Sequence, residues 1–242
     1  MSVEKADMTV KEDSLLLSGD RCFFTLQGEG QSFGKPATFL RLHLCNLRCS
    51  WCDTPYTWNR EDVRFWQEPE RWNLDKVTTE VSRFPCKRLV ITGGEPLLHG
   101  KALDNLLDHL GPEWVFEVET NGTMLPTEKM IERGIQFNCS PKLENSGNLK
   151  VARYRPEVLK RLNMLPNTSF KFVVTQPEDL KEIEQIISEC DLDDDKIILM
   201  PEGVTQEAVA EHGRMVAELC KEKGWRLIPR LHIMLWGNTR TK

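Results

Sequence analysis

No apolar run in this 242-residue chain comes near the roughly 20 consecutive residues that a bilayer-spanning helix needs. Its first thirteen residues are mixed in charge and lack the apolar stretch of a secretion signal. Lysine and arginine, 32 against 37 acidic residues for a net charge of −5, nowhere gather into the kind of cluster that neutralises nucleic-acid phosphates. Internal repeats, low-complexity linkers and breaks in composition are missing too. The expectation is a cytoplasmic protein with no membrane and no nucleic-acid partner. It is expected to be a single domain over 1–242, with an N-terminal extension at 1–20 and a variable connection at about 58–73. A small-molecule substrate stays open to it.

Cysteine is not scarce, but it is unevenly placed. Of eight, Cys45, Cys49 and Cys52 crowd into eight positions, while Cys22, Cys86, Cys139, Cys190 and Cys220 are scattered. Disulfide scaffolds are usually small, dense and secreted, so this pattern reads as a reducing compartment with one local metal site. The scattered thiols read as small buried hydrophobes. Three thiolates spaced x3 and x2 wrap one small inorganic cluster but supply only three ligands. A structural zinc site normally needs four, and no second Cys-x2-Cys or histidine pair lies nearby. A four-iron cluster held by three cysteines leaves one iron open. S-adenosyl-L-methionine (SAM) can take that position through its amino and carboxylate groups. The alternative is a zinc knuckle, or a cluster whose fourth ligand is a distant Cys22 or Cys86.

Short apolar strands alternate with amphipathic helices along the rest of the chain. Residues 38–44 alternate, with Leu40, Leu42 and Leu44 on one face and Phe39, Arg41 and His43 on the other. Further strands are expected at 88–92, 114–120, 135–138, 170–174, 196–200 and 225–231. Helices are expected at 74–84, 102–110, 156–162, 180–189 and 205–223. Strands separated by helices pair in parallel through right-handed crossovers. The fold class is therefore α/β, a partial, open β/α barrel with about six parallel strands. Chemistry in such barrels lies where strands end and loops begin. The three-cysteine loop follows the first of these strands and Gly93-Gly94 the second, so both fall on one rim.

Thr92-Gly93-Gly94-Glu95-Pro96 ends a strand and opens a loop, and glycine lets a backbone approach a ligand with no Cβ between. Alone, such a run is a tight turn as often as a site; one βα unit after three clustered cysteines it is far more specific. Arg41, on the polar face of an apolar strand, suits a two-point carboxylate contact or a salt bridge inside the barrel. Gln27 offers a donor and an acceptor within a run that otherwise reads as a turn. Lys142 reads as a solvated charge or a ligand contact, His43 as an interior hydrogen-bonded histidine, and Thr54 as a cap.

Taken together, Phe24-Thr25-Leu26-Gln27-Gly28-Glu29-Gly30, Phe39-Leu40-Arg41-Leu42, the stretch from Cys45 to Thr54, Thr92 to Pro96, Glu119-Thr120-Asn121-Gly122 and Ser140-Pro141-Lys142 resemble the radical SAM superfamily. Within it they resemble the 7-carboxy-7-deazaguanine synthase family of the queuosine pathway, over most of the chain. The resemblance implies a radical SAM core with a [4Fe-4S] cluster on Cys45, Cys49 and Cys52. It implies SAM contacts from Trp51, Cys52, Asp53, Gly94, Ser140, Pro141 and Lys142, and substrate contacts from Leu26, Gln27, Gly28, Arg41 and Thr92. It makes Thr54, a hard oxygen donor, a Mg2+ ligand. A pterin substrate, a homodimer and a flavodoxin- or ferredoxin-type electron donor are implied as well. The rivals are another radical SAM enzyme such as a glycyl-radical-enzyme activase, or a cluster- or zinc-bearing protein without catalysis. Activases often carry extra ferredoxin-like cysteine sets, which are absent here. The tail 229–238 resembles one branch of the family, but glutamine is expected where Arg230 stands. The roles of Glu119, Thr120 and Asn121 at the rim stay open. So does that of 60–72, with Trp66 and Trp72, as a dimer contact, a docking surface or a decorated loop.

Overall fold

In the computed structural model, which describes residues 7–241, nine strands form one sheet. They are β1 (Ser14–Leu26), β2 (Pro36–Leu42), β3 (Glu70–Asn73), β4 (Arg88–Gly93), β5 (Val115–Thr120), β6 (Gln136–Cys139), β7 (Thr168–Val174), β8 (Ile197–Pro201) and β9 (Arg226–Leu227). Their spatial order is β3-β1-β2-β4-β5-β6-β7-β8-β9. From β2 onward every neighbouring pair is parallel. Only β1 runs antiparallel, to both β2 and β3. The helices are α1 (Val63–Gln67), α2 (Leu74–Ser82), α3 (Gly100–His109), α4 (Glu128–Glu132), α5 (Lys150–Arg153), α6 (Pro156–Asn163), α7 (Asp179–Cys190), α8 (Gln206–Lys223) and α9 (Leu231–Trp236). The expected α/β parallel core is present, with β9 as a two-residue addition to six longer parallel strands. Among the described residues no helix is long and apolar enough to cross a membrane.

Helix ends are set locally. The Asn73 side chain accepts from Lys76 N at the start of α2, and Thr205 accepts from Ala208 N at the start of α8. At its far end α8 stops on Gly224, at φ 74°, a left-handed position that glycine takes without a Cβ penalty.

Alternation along the strands sorts side chains onto two unlike faces. Toward the helices point Leu40, Ile91, Val118, Phe137, Phe172 and Leu199, which join the main core. Each such buried side chain contributes about 1.5–3 kcal/mol. The opposite face carries Arg41, Thr92, Glu117, Glu119, Asn138 and Lys171, flanked by two small apolar clusters around Phe39 and Met200. Buried charge on the inner face of a parallel sheet is costly unless paired, so these strands hold a polar chamber rather than a second core.

The loop between β1 and β2 fills the open side of that chamber. Gln31 N donates to Asn138 Oδ1 at 3.3 Å, the Ser32 hydroxyl donates to Gln136 Oε1 at 3.1 Å, and Lys171 pairs with Glu29. The chain end closes over it, with Leu231 N donating to Gly28 O at 3.4 Å.

Three segments differ from expectation. Residues 14–20 of the expected extension belong to β1, whose apolar pattern is broken by a register shift between Leu17 and Cys22; the first six residues lie outside the described ones. The connection 58–73 contains α1 and β3, with Phe65 and Trp72 buried. The strand expected at 225–231 shrinks to Arg226–Leu227, because Pro229 has no N–H to continue a ladder and the chain turns into α9.

Candidate active site

One cavity opens at the C-terminal ends of the parallel strands, and Cys45, Cys49 and Cys52 all line it. They sit on the loop after β2, entered through Leu44 at φ 75°, a left-handed turn that an L residue adopts only under constraint. Leu47 N donates to Cys45 Sγ at 3.5 Å, and the Asn148 amide donates to Cys49 Sγ at 3.3 Å. Such donors to sulfur help set the potential of a thiolate-held cluster. Among the described residues no three His, Cys, Asp or Glu side chains converge on one metal ion. The three thiols thus share a wall without the tight convergence that a mononuclear zinc site requires. Cys22 lies within β1 opposite Leu40, and Cys86 donates to Pro36 O at 3.1 Å; neither lines the cavity as a fourth ligand. Three thiols on one cavity wall, with neither Cys22 nor Cys86 beside them as a fourth donor, fit an open-iron cluster. Cys139, Cys190 and Cys220 are buried in the core.

Glycine acts differently from the expectation. A Cβ on Gly93, at φ 120°, would stand 2.1 Å from Leu42 O, and one on Gly94 would stand 1.8 Å from Leu44 O. Gly94 N donates to Leu42 O at 3.0 Å and Glu95 N to Leu44 O at 2.8 Å. The space is filled by the cysteine loop itself, so the glycines seal one rim loop against another, and Gly94 still lines the cavity. Glu95 is buried and ties in the third loop, accepting from Leu97 N, the Thr120 hydroxyl and Asn121 N at 3.0, 2.9 and 2.7 Å. Burial pushes its carboxyl up from the ordinary range, and these donors oppose the shift. Thr120 and Asn121, whose roles the sequence left open, therefore belong to the rim scaffold. Asn121 also donates to Asn46 Oδ1 at 2.9 Å.

Trp51, Cys52, Asp53, Ser140 and Lys142 line the same cavity. Lys142 Nζ donates to Ser140 Oγ at 2.9 Å and lies over the Trp51 ring, 5.4 Å from its centre. Pro141 is buried away from the cavity wall. Thr54 is on the wall, 3.7 Å from Cys52 Sγ, and precedes a short 3-10 turn without capping it through its side chain.

Leu26, Gln27, Gly28, Arg41 and Thr92 line the inner end. Arg41 makes no close ion pair: its nearest carboxylate, Asp20, stands 3.9 Å away, and its Nε is buried without a hydrogen-bond partner. A buried guanidinium edge without an acceptor suits an anionic ligand group. Gln27 is no simple turn residue, since its amide donates to Glu119 Oε1 at 3.2 Å and its carbonyl accepts from Glu29 N at 3.1 Å. Thr92 donates to Glu119 Oε2 at 2.6 Å. Burial pushes the Glu119 carboxyl up; Lys171 opposes that shift and Glu29 adds to it. Burial would raise Glu29 too, but Lys171, Arg230 and His232 hold it well below the usual carboxylate range. His43 leaves the Arg41 face and is fully buried, its Nδ1 3.3 Å from Ser18 Oγ, an interior histidine as expected.

Sequence reasoning missed Lys171, Glu29 and Arg230 as a set. Arg230 donates to Gly203 O at 2.8 Å and pairs with both Glu29 and Asp53, so it joins the cysteine loop to the β1–β2 loop. A lysine alternating with Phe170 and Phe172 in an apolar strand was the available signal for an inward-facing charge.

A parallel β/α sheet whose rim presents three thiols and no fourth ligand, above a polar chamber, is the architecture of a radical SAM enzyme. The Radical SAM superfamily model matches residues 41–190. The 7-carboxy-7-deazaguanine synthase of Pyrobaculum aerophilum is 35% identical over 91% of this chain and 95% of its own length. That of Halobacterium salinarum is 34% identical over 93% of each chain. The crystal structure of QueE from Escherichia coli superposes with a TM-score of 0.67 at 26% identity, covering 90% of this chain and 95% of that one. The chain belongs to the 7-carboxy-7-deazaguanine synthase family. These relatives do not favour the activase or the non-catalytic alternative.

Proposed function

We infer that this chain converts 6-carboxy-5,6,7,8-tetrahydropterin to 7-carboxy-7-deazaguanine with release of ammonia, in queuosine and 7-deazapurine biosynthesis. The observation that carries the reading is that one cavity joins both sets of residues. Its outer wall holds the three cysteines, and its inner wall holds Arg41, Thr92, Glu119 and Lys171. When bound, a [4Fe-4S] cluster on Cys45, Cys49 and Cys52 together with SAM would supply one-electron, hydrogen-abstracting chemistry, and Mg2+ would supply a Lewis-acidic contact for the substrate carboxylate.

The chain's own residues do the positioning. Cys45, Cys49 and Cys52 hold the cluster. Trp51, Asp53, Gly94, Ser140 and Lys142 form the SAM side, with Pro141 shaping that loop from behind. Arg41 takes the substrate carboxylate, with Thr54, on the wall of the same cavity, as the Mg2+ ligand. Gln27, Thr92 and Glu119 read the polar edge of the bicyclic ring, while Leu26 and Gly28 bound it. Burial pushes the Glu119 carboxyl up from its ordinary range, while the Gln27 amide and the Thr92 hydroxyl donate to it and fix its place on the wall. The β1–β2 loop and the tail exclude water from the chamber, which protects a radical from side reactions.

On this reading the protein works in the cytoplasm, a reducing compartment that suits eight unpaired cysteines and an iron–sulfur cluster. It works as a homodimer fed by a flavodoxin- or ferredoxin-type donor. The test is anaerobic turnover of cluster-loaded protein with SAM, Mg2+, dithionite and carboxytetrahydropterin, read by mass spectrometry. Product is expected from the wild type and none from Cys49→Ala; intact pterin beside cleaved SAM would refute the substrate assignment.

A further inference from the structure

Two glutamates alternate on the inner side of β5, and their surroundings differ. Glu119 lines the cavity, whereas Glu117, two residues earlier, is fully buried and does not. Glu117 stands level with Gln136 on β6, and Glu119 with Asn138. A carboxylate with no exposure is costly inside a sheet unless donors surround it. Here four do. Arg88, the first residue of β4, pairs with Oε1. Oε2 accepts from the amides of Gln136 at 3.0 Å, Asn138 at 3.1 Å and Gln27 at 3.4 Å. Arg88 also donates to the Ser32 hydroxyl at 3.1 Å, and Ser32 in turn donates to Gln136 Oε1 at 3.1 Å. Arg88, Ser32, Gln136 and Glu117 thus close a ring that ties the β1–β2 loop to the floor of the sheet. None of the four lines the cavity, so any effect on a ligand passes through a neighbour.

Gln27 is that neighbour. It lines the cavity, and its amide nitrogen is shared between Glu117 and Glu119, at 3.4 and 3.2 Å. Its carbonyl accepts from Glu29 N at 3.1 Å. The reverse orientation would set the carbonyl against the Glu117 carboxylate and the NH2 group against the Glu29 N–H, two mismatches at once. A carboxylate held by a guanidinium stays an acceptor, so Glu117 selects the observed orientation whether or not Glu119 holds a proton. Both amide hydrogens are then used, and one carbonyl lone pair of Gln27 remains.

We propose that the Arg88–Glu117 ion pair is a positioning pair for the substrate site, fixing the Gln27 amide so that it offers a ligand its carbonyl and not its NH2 group. The proposal rests on the substrate reading above, in which Gln27 and Glu119 meet the polar edge of the ring. Beside the Glu119 carboxylate, the Gln27 carbonyl completes an edge of acceptors that takes ring N–H groups. An amide free to flip would set N–H against N–H. Because neither Arg88 nor Glu117 lines the cavity, their effect falls on binding more than on the radical step.

The experiment compares steady-state kinetics with carboxytetrahydropterin, beside melting temperatures, for cluster-loaded wild type and three variants. Glu117→Gln lets position 117 donate as well as accept. Its pterin KM is expected to rise about tenfold with a smaller fall in kcat. Arg88→Lys keeps a cation on Glu117 and should stay within about threefold of wild type. The double variant, Arg88→Met with Glu117→Gln, leaves no unpaired charge and should recover the melting temperature lost in the single variant. Its KM should nevertheless stay raised. A KM that returns to the wild-type value together with the melting temperature overturns the proposal, since the pair would then serve stability alone. An unchanged KM in Glu117→Gln overturns it too. Should Glu117→Gln not fold, the double variant carries the comparison. Absence of turnover in wild type defeats the substrate reading separately. The pair is then decided by NMR hydrogen exchange of the Gln27 side-chain amide in glutamine-labelled protein, its signal identified by its loss in Gln27→Leu. Exchange about tenfold or more faster in the double variant than in wild type sustains the pair, and equal rates overturn it.

Discussion

Gly94 packs so closely on Leu44 that a Cβ at the glycine would stand 1.8 Å from the Leu44 carbonyl oxygen. Backbone, not a flexible side chain, occupies that space, so Gly94→Ala must push the glycine loop off the cysteine loop. The variant is expected to lose about 1–3 kcal/mol and to bind less iron and sulfide per chain than wild type. Gly213→Ala is the contrast. Gly213 lies within α8, its nearest contact 3.9 Å away at Pro201 Cγ, and alanine there should add about 0.5–1 kcal/mol. Thermal unfolding and iron analysis of both variants check the pair.

Arg41 lines the cavity with a buried Nε that has no hydrogen-bond acceptor and stands 3.9 Å from Asp20, and its guanidinium is assigned to the substrate carboxylate. Arg41→Ala should cost about 1.5–3 kcal/mol of substrate binding, a fall of roughly 10- to 100-fold in kcat/KM. Arg41→Lys keeps the charge but loses the planar fork, and should fall in between. SAM cleavage without substrate, measured alongside, should not change with either substitution.

Arg230 bridges Asp53 and Glu29, where glutamine was expected from the sequence. Arg230→Gln removes the charge and leaves Glu29 with Lys171 and His232. Because Asp53 is 39% exposed, the loss is set below that of a fully buried pair, at about 2 kcal/mol. The melting temperature should drop and the pterin KM should rise. Steady-state kinetics beside calorimetry separates the two effects.

His99 gives a pH dependence with a definite sign. Burial holds its imidazole below the ordinary 6.5, and its Nε2 donates to His43 O at 2.9 Å. As pH falls through 6.5 the unfolded chain takes up a proton that the folded chain resists. Stability from this group is therefore full above 6.5 and declines toward the lower folded value, by at most about 1.4 kcal/mol per pH unit. His99→Leu should start less stable, having orphaned a carbonyl, but show a shallower decline. Urea unfolding of both proteins between about pH 7.5 and 5.5 measures the difference in slope.

Much of this was legible in the residues because the outward face of each parallel strand meets helices and keeps a plain apolar alternation. Strands at 88–92, 170–174 and 196–200 follow directly from it. β1 was not legible, since Ser18, Gly19, Asp20 and Arg21 interrupt its pattern at the register shift. The three cysteines and Thr92 to Pro96 announced the rim through spacing, but not all that the glycines do: only the packing shows that they also let the two rim loops close on each other. Lys171, Glu29 and Arg230 escaped for a related reason. They are 59 to 201 residues apart in sequence, and only the closure of the loop and tail over the sheet makes them one ion-pair set.

The measurement that tests the central claim most directly is the stoichiometry of product against SAM under anaerobic turnover of cluster-loaded protein with limiting SAM. The account predicts that 7-carboxy-7-deazaguanine accumulates beyond the amount of SAM consumed, because the family resemblance makes SAM a cofactor regenerated in each turnover, and a chamber closed by the β1–β2 loop and Arg230 limits the side reactions that would consume it. SAM cleaved to 5′-deoxyadenosine with the pterin left intact would contradict it.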